Sequence, residues 1–168
     1  MLKFSDSEVV FREFPDEVSL CINITNCPFK CPGCHSPELQ EDIGIFLSRD
    51  KLTELINKNE GITCVGFMGG DSDPLSVTHL AQYVKDEFPD LKVGWYSGRD
   101  KLPKEIDLKY FDYIKLGPYI ESLGGLNMRT TNQNMFKVVD IGYTYSLKNI
   151  TQSFWKNVQC TNSDWQFL

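Results

Sequence analysis

Residues 62–71 read ITCVGFMGGD, and this stretch decides the predicted fold. A continuous apolar run of this length that ends in glycines is typical of a strand buried on both faces in a parallel sheet. Asp73 and Pro74 follow at once, and they have the chemistry of a helix N-cap and a first helical residue. Apolar residues then recur at steps of three or four from Val77 to Phe88, which predicts an amphipathic helix that ends at Pro89.

The same order of strand and helix extends in both directions along the chain. Ser48 predicts the cap of a helix that ends by Gly61, and a weaker, short helix is expected near residues 105–110. Further strands are predicted at residues 18–25, 91–96 and 113–116, with another at 138–141. Alternating strands and helices predict a parallel sheet with right-handed crossovers.

The length limits the possible architectures. A closed eight-stranded β/α barrel usually needs about 250 residues, and the chain has 168. We therefore expect one α/β domain over residues 1–168, either an incomplete (open) β/α barrel with a mainly parallel sheet, which we favour, or an open doubly wound sheet. In both folds, ligands bind at the C-terminal ends of the strands. The segment from about 142 to 168 has no clear period and is expected to be irregular.

The composition disfavours several classes of protein. The net charge of −6 argues against a nucleic-acid partner, and the 41% hydrophobic content argues against a disordered chain. The first 17 residues lack the apolar stretch of a signal peptide, and the longest uncharged run, residues 18–29, is too short to cross a bilayer. We therefore expect a cytoplasmic protein without a membrane partner. In that reducing compartment, clustered cysteines bind metal or do redox chemistry more often than they form disulfides.

Three of the six cysteines fall within eight residues, just past the end of the first predicted strand. Cys27, Cys31 and Cys34 have the spacing CxxxCxxC, and thiolate is the soft ligand that iron–sulfur clusters and zinc prefer. Gly33 lets the backbone of this loop come close to a bound group. The spacing therefore predicts a metal site on the loop.

The fourth ligand decides between the metals. A structural zinc site needs four protein ligands, and Cys21, Cys64 or Cys160 could supply a fourth thiolate. Cys21 and Cys64 fall inside or beside predicted strands, however, where a small buried cysteine is the usual explanation. A three-cysteine cluster with one open iron position fits this pattern. The alternative is a redox CxxC motif at residues 31–34, although Pro37 disfavours the helix that such motifs usually begin.

Three elements, taken in order, resemble a known family. CPFKCPGCHSPEL at residues 27–39 and FMGGD at 67–71 are similar to motifs of the radical S-adenosylmethionine enzymes. FDYIKLGPYIESLGGLNMRTTNQNMF at 111–136 resembles a late segment of the small activating proteins of anaerobic (class III) ribonucleotide reductases. The resemblance spans roughly residues 18 to 136.

The resemblance implies a set of site residues. Cys27, Cys31 and Cys34 would hold a [4Fe-4S] cluster, and the iron without a protein ligand would bind the amino and carboxylate groups of S-adenosyl-L-methionine. No catalytic side chain is expected, because the cofactor carries the radical. Contacts with the bound cofactor are expected from these residues: Gly33, His35, Gly69, Gly70 and Asp71.

The chain departs from the family pattern near these contacts. GGDSDP at residues 69–74 replaces the family's GGDP, so that either Asp71 or Asp73 fills the aspartate position. His35 and Ser36 stand where the family has an aromatic residue and often an asparagine. Ser97 and Arg99 are candidates for ribose or carboxylate contacts by position alone, although a solvated loop is the favoured interpretation, and residues that match the late motif are expected to form a wall of the site: Arg129, Asn132 and Gln133.

The implied activity is that of a glycyl-radical-enzyme activase. The reduced cluster would cleave S-adenosylmethionine to methionine and a 5′-deoxyadenosyl radical, which would abstract hydrogen from a glycine of the reductase. The implied partners are the large subunit of the anaerobic ribonucleoside-triphosphate reductase and a flavodoxin- or ferredoxin-like electron donor. One alternative is an activase of another glycyl radical enzyme or a peptide-modifying radical enzyme. The alternative of a different class is a small zinc-binding interaction module.

Overall fold

An eight-stranded sheet forms the centre of the computed structural model, which describes residues 1–155. Its strands and α-helices are, in chain order, β1 (Lys3–Val10), β2 (Ser19–Ile24), β3 (Ile45–Phe46), α1 (Arg49–Lys58), β4 (Cys64–Met68), α2 (Pro74–Glu87), β5 (Lys92–Tyr96), β6 (Tyr113–Leu116), β7 (Asn134–Asp140) and β8 (Tyr145–Asn149). Short 3-10 helices lie at Pro37–Gln40, Leu108–Tyr110 and Thr151–Phe154. The strand order across the sheet is β3-β1-β2-β4-β5-β6-β7-β8.

The sheet is mixed, so the prediction of an incomplete β/α barrel with a mainly parallel sheet is wrong. The central strands β2, β4, β5 and β6 run parallel to one another. On both flanks the pairs are antiparallel, with β1 between β2 and β3 and with β7 between β6 and β8. The sheet is open, and only two α-helices, α1 and α2, occur within residues 1–155.

The connections explain why the barrel pattern stops. A helical crossover is the usual link between parallel strands, but the link from β5 to β6 holds only the 3-10 helix Leu108–Tyr110. After β6 the chain turns back, so that Leu116 pairs with Asn134 in an antiparallel register. At the other flank, β1 has Phe4 as its one buried residue, and no apolar periodicity marks it in the sequence.

The larger core lies between the two helices and one face of the sheet. Alternate residues of the central strands face it, among them Ile22, Phe67 and Trp95, which have no exposed surface. The predicted caps are confirmed, because Ser48 accepts a hydrogen bond from Lys51 N and Asp73 accepts one from Ser76 N. The helices add the following buried residues to this core: Leu52, Leu55, Ile56, Val77, Leu80, Ala81 and Val84.

The opposite face of the sheet is covered by the loop that follows β1. The fully buried ring of Phe14 lies across Gly66 and Gly94, which pair with each other in β4 and β5. A Cβ atom at Gly66 would lie 2.6 Å from Phe14 Cε2, and one at Gly94 would lie closer still, so a larger residue at either position would displace the ring. The ring centroid is 5.4 Å from that of Tyr96 and 5.5 Å from that of Tyr113. Phe14 therefore closes the second core with aromatic contacts on both sides.

An ionic network surrounds the buried carboxylate of Glu17 at the amino ends of the parallel strands, and we call it the amino-end network: Glu17, Thr63, Lys92 and Tyr113. Glu17 is 5% exposed, forms an ion pair with Lys92, and accepts hydrogen bonds from Thr63 Oγ1 at 2.7 Å and Tyr113 Oη at 3.0 Å. Burial raises the pKa of Glu17, but the hydrogen bonds from Lys92, Thr63 and Tyr113 together outweigh burial and lower it. The carboxylate is thus held ionised by its partners.

Part of the chain expected to be irregular is ordered into a strand, since β8 and the 3-10 helix Thr151–Phe154 lie within residues 142–155. Cys160 and Trp165 lie outside the described residues. The longest helix of the described residues, α2, has 14 residues. Among residues 1–155, no helix combines the length and the apolar character needed to cross a bilayer.

Candidate metal centre

The loop that carries the clustered cysteines leaves the sheet at the carboxyl end of β2. Its base is closed by backbone hydrogen bonds from Asn26 N to Glu41 O and from Cys27 N to Leu39 O, both 2.9 Å long. Within the loop, Lys30 has a φ of 46°, in the left-handed region that non-glycine residues seldom adopt. The loop therefore leaves the sheet and returns within a short distance, with its two ends joined by hydrogen bonds.

The structure brings the three clustered cysteines together in one cavity of about 220 Å³. Cys27, Cys31 and Cys34 are each half-buried and unpaired. The cavity lies at the carboxyl ends of the parallel strands, and we call it the cysteine cavity. Its other walls come from β2 and its loop, and from the ends of β4, β5 and β6: Asn23, Ile24, Ser36, Leu39, Gln40, Met68, Gly69, Asp71, Tyr96, Ser97, Gly98 and Lys115.

An aromatic contact attaches the cysteine loop to the sheet. The ring of Phe29 packs against Gly98, just beyond β5, where an added Cβ atom would lie 2.5 Å from Phe29 Cδ2. Gly98 is itself held, because its backbone N–H donates to Asp71 Oδ2 at 2.9 Å. The position of the cysteines therefore depends on the loop after β5.

Asp71, a predicted cofactor contact, is 3% exposed and lines the cysteine cavity. Its carboxylate accepts a hydrogen bond from Ser97 Oγ at 2.6 Å, in addition to the one from Gly98, and pairs with Arg99 Nε at 3.2 Å. Arg99 Nη2 also donates to the Asp71 carbonyl oxygen at 2.8 Å. Asp71 thus ties the loop after β4 to the loop after β5, whereas Asp73 lies away from the cavity lining and caps α2.

The two glycines predicted beside the cofactor differ in their surroundings. Gly69 has a φ of 102°, lines the cavity, and accepts a hydrogen bond on its carbonyl from Trp95 Nε1 at 2.7 Å. Gly70 is buried under α2, where an added Cβ atom would lie 2.6 Å from Val77 Cγ2. Only Gly69 borders the cavity, and the packing of α2 is sufficient to require glycine at residue 70.

The other two predicted contacts lie at the outer side of the loop. Gly33 is exposed and approaches the carboxylate of Glu121, which would lie 3.0 Å from an added Cβ atom. His35 is exposed, and its ring centroid lies 4.9 Å from that of Tyr119. His35 lines an adjoining cavity of about 880 Å³ rather than the cysteine cavity, and Tyr96 lies in the walls of both.

The late motif supports the link between β6 and β7. Asn132 Nδ2 donates to the Pro118 carbonyl at 2.9 Å, and Gln133, which is buried, lines the adjoining cavity. The Arg129 guanidinium lies 5.8 Å from the ring centre of Trp155. Of these three residues, Gln133 alone lies in a wall beside the cysteine cavity.

Comparison with protein-family models decides the kind of centre. Residues 18–136 match the model described as a 4Fe-4S single cluster domain. The chain belongs to this family. No curated protein and no solved structure matches the chain.

A 4Fe-4S single cluster domain needs thiolate ligands for its cluster, and the cysteine cavity fits this requirement by its donor set. Three thiols share one cavity, and thiolate is the usual ligand of iron–sulfur clusters. Among residues 1–155, however, no group of three or more histidine, cysteine or acidic side chains is already assembled around one metal position. The fit therefore rests on the shared cavity and on the chemistry of the donors. Binding requires the three thiols to turn towards a common point.

The remaining described cysteines lie on the same face of the sheet as this cavity, but neither of them lines it. Cys21 and Cys64 are buried, as predicted, and belong to the core that contains Phe14. Burial raises the pKa of the Cys21 thiol to about 12, and it raises that of Cys64 further. Such thiols stay protonated at neutral pH and are poor metal ligands. Burial also raises the pKa of Cys27, but to a smaller extent.

One charged residue of the cavity was not predicted from the sequence. Lys115 lies in β6 and is 7% exposed, although every other residue of this strand is apolar or aromatic. The signal was present, because a lysine in a four-residue strand predicted to be buried must either reach solvent or meet a specific partner. The sequence does not show which, since the carbonyl partners of Lys115 come from the ends of two separate strands.

Proposed function

We propose that this 4Fe-4S single cluster domain is a glycyl-radical-enzyme activase of the radical S-adenosylmethionine type, acting on an anaerobic ribonucleotide reductase. The observation that supports it best is the shared cavity of Cys27, Cys31 and Cys34 at the carboxyl ends of the parallel strands. Three thiolates leave one iron of a four-iron cluster without a protein ligand, and a small molecule can bind there. The order of sequence motifs from residue 27 to residue 136 supports the same activity.

In this proposal, Cys27, Cys31 and Cys34 hold the cluster. When bound and reduced, the cluster would supply one electron for cleavage of S-adenosylmethionine to methionine and a 5′-deoxyadenosyl radical, which would take a hydrogen atom from a glycine of the reductase and become 5′-deoxyadenosine. The protein contributes placement and exclusion of water, and no side chain acts as an acid, base or nucleophile.

The residues around the cavity bind and orient the cofactor. Gly69 offers backbone at the cavity wall without a side chain in the way. Asp71 holds the loop after β5, and a carboxylate has about four acceptor sites, so it retains capacity for the cofactor's amino group beside Ser97 and Gly98. Gly33 and His35 border the outer side of the cysteine loop, and Gly70 supports the turn through its packing against α2.

The adjoining cavity provides room for the protein substrate. Its volume of about 880 Å³ and its position next to the cysteine cavity, with Tyr96 in both walls, suit a polypeptide loop that must approach the radical. The electron would come from a flavodoxin- or ferredoxin-like protein. This arrangement needs no further cluster.

The decisive experiment is anaerobic reconstitution with iron and sulfide. We expect about four irons per chain, a paramagnetic signal after reduction, a change of that signal on addition of S-adenosylmethionine, and release of methionine and 5′-deoxyadenosine. Cys31→Ser should lose the cluster, whereas the matched variant Cys21→Ala should keep it, because Cys21 lies in the core away from the cavity.

Three results would contradict the proposal in whole or in part. Zinc at one ion per chain without iron uptake would indicate an interaction module instead. A full cluster whose signal ignores S-adenosylmethionine would leave the iron–sulfur assignment intact and remove the radical chemistry. Failure of the purified protein to form a glycyl radical on the reductase, with cofactor cleavage intact, would point to another substrate.

A further inference from the structure

Lys115 is a buried cation at the edge of the cysteine cavity. In β6, Ile114 and Leu116 face the helix-side core, and Tyr113 and Lys115 face the opposite side of the sheet. Lys115 is 7% exposed and lines the cavity beside the three cysteines. Of the lining residues in the described part of the chain, it is the only one with a basic side chain.

Within residues 1–155, the ammonium of Lys115 contacts backbone carbonyl groups but no counter-ion. Its Nζ donates to the carbonyl oxygen of Gly117 at 2.6 Å and to that of Ser97 at 3.4 Å. An ammonium has three donor hydrogens, so one remains without an oxygen acceptor among residues 1–155, where Nζ also lies 5.9 Å from the ring centroid of Tyr96. No carboxylate within those residues lies within 4 Å of Nζ. Because a buried charge without a counter-ion is strongly unfavourable, a negatively charged ligand at this position would stabilise Lys115.

The groups that face Lys115 across the cavity identify the source of that negative charge. Burial lowers the pKa of Lys115 to about 8, and the charges of Asp71 and the three clustered cysteines oppose this shift. Asp71 already has its own cation, since Arg99 pairs with its carboxylate at 3.2 Å. The thiolates and whatever they bind are therefore the anionic groups left for Lys115.

We propose that Lys115 is the charge partner of the iron–sulfur cluster and raises its reduction potential. Adding an electron increases the negative charge in the cavity, and a fixed cation close by stabilises the reduced form more than the oxidised form. Lys115 acts on the cluster through its electrostatic field and binds no iron, so it is a positioning residue and not a ligand. This role rests on the cluster and not on the radical chemistry proposed above.

The test compares reduction potentials of reconstituted variants, titrated with dithionite and followed by visible absorbance without S-adenosylmethionine. Lys115→Met should make reduction harder by at least tenfold in the redox equilibrium, which is about 59 mV for one electron. Lys115→Arg should stay within threefold of wild type. Lys30→Met is the matched control, because Lys30 lies between Cys27 and Cys31 in sequence but is exposed and screened. We expect it to shift the equilibrium by less than twofold.

Each outcome decides the role of Lys115. A Lys115→Met protein that binds the wild-type amount of iron at the wild-type potential would overturn the proposal. If that variant fails to bind iron while Lys115→Arg binds it normally, the charge is required for the cluster to bind, which supports the role of charge partner, and Lys115→Gln then replaces Lys115→Met in the measurement of the potential. If both variants remain folded but neither binds iron, shape rather than charge is needed, and the proposal fails. Should Lys115→Met not fold, Lys115→Gln, which keeps two donor hydrogens without the charge, replaces it in the same comparison.

Because the titration contains no S-adenosylmethionine, its result is independent of the activase proposal. A cluster without cofactor cleavage would remove the proposed function and leave the Lys115 measurement valid. A protein with normal activase activity whose reduction potential is unchanged in Lys115→Met would support the proposed function and overturn the proposal for Lys115.

Discussion

A buried charge lies at each end of strand β6, and the two charges are stabilised in different ways. At its amino end, Tyr113 joins the amino-end network, in which the carboxylate of Glu17 has a cation and two hydroxyl donors. At its carboxyl end, Lys115 has two carbonyl oxygens and no counter-ion among residues 1–155. The paired charge of Glu17 stabilises the arrangement of the strands. The unpaired charge of Lys115 can instead be stabilised by an anionic ligand.

The ring of Phe14 lies between these two ends, and its removal should have the largest effect. Phe14→Ala deletes a fully buried ring and leaves a cavity above two glycines that cannot fill it, so we expect the free energy of unfolding to fall by about 3–5 kcal/mol. Urea denaturation of the metal-free protein measures this change. The control is Phe11→Ala, because Phe11 is 72% exposed, and we expect less than about 0.5 kcal/mol from it. Equal effects of the two variants would show that the ring of Phe14 contributes no more to stability than an exposed ring.

Neutralising the two charges should have unequal consequences in the metal-free protein. Glu17→Gln removes the partner of Lys92 and weakens two hydroxyl contacts, which should lower the free energy of unfolding by about 2 kcal/mol. Lys115→Met should change it by less than about 1 kcal/mol, because loss of two hydrogen bonds is offset by removal of an unpaired buried ammonium.

Urea denaturation compares these variants with Glu8→Gln, a neutralisation on an exposed position of β1. The exposed control should lie close to wild type. A loss from Lys115→Met as large as that from Glu17→Gln would mean that both ends are structural, and the contrast between them would disappear.

The smallest expected effect is a change with pH in the contribution of Glu17 to the free energy of unfolding. The pKa of Glu17 is lower in the folded state than its ordinary value of 4.5, so its contribution is complete above that value and is lost as the pH falls through the lower folded pKa. The difference in stability between wild type and Glu17→Gln should therefore shrink as the pH falls below about 4.5. Urea midpoints measured at several pH values between neutral and strongly acidic conditions give this difference. A gap that stays constant or widens in acid would exclude an ionised Glu17 as the source of the stability.

The central part of the fold was predictable from local signals. The apolar runs that became β2, β4, β5 and β6 and the capped helices α1 and α2 were all found within a few residues of their predicted positions. Of the flanking strands, β7 was predicted in part, at residues 138–141, where the structure has Asn134–Asp140. Strands β1 and β8 were not predicted, because β1 has one buried residue in eight and β8 has none. Their pairing depends on neighbouring strands and leaves little pattern in the sequence.

The part of the site that depends on the spacing of residues in the sequence was predictable. The part that depends on contacts between distant loops was not. CxxxCxxC indicated the three cysteines directly, and the structure places them in one cavity. The partnership of Asp71 with Ser97, Gly98 and Arg99 joins loops that are 26 or more residues apart, so no local pattern records it. The same is true of Phe29 on Gly98.

Both hydrophobic cores are complete without any side chain of Cys27, Cys31 or Cys34. The aromatic contact of Phe29 and the backbone hydrogen bonds at the base of the loop hold these cysteines near the sheet without a metal. In small metal-dependent modules, folding waits for the ion. Here we expect the order of events to be the opposite: the chain folds first, and iron and sulfide then bind to a folded loop whose three thiols turn towards the cluster. Loss of the cluster to oxygen should accordingly leave a folded protein that can be loaded again.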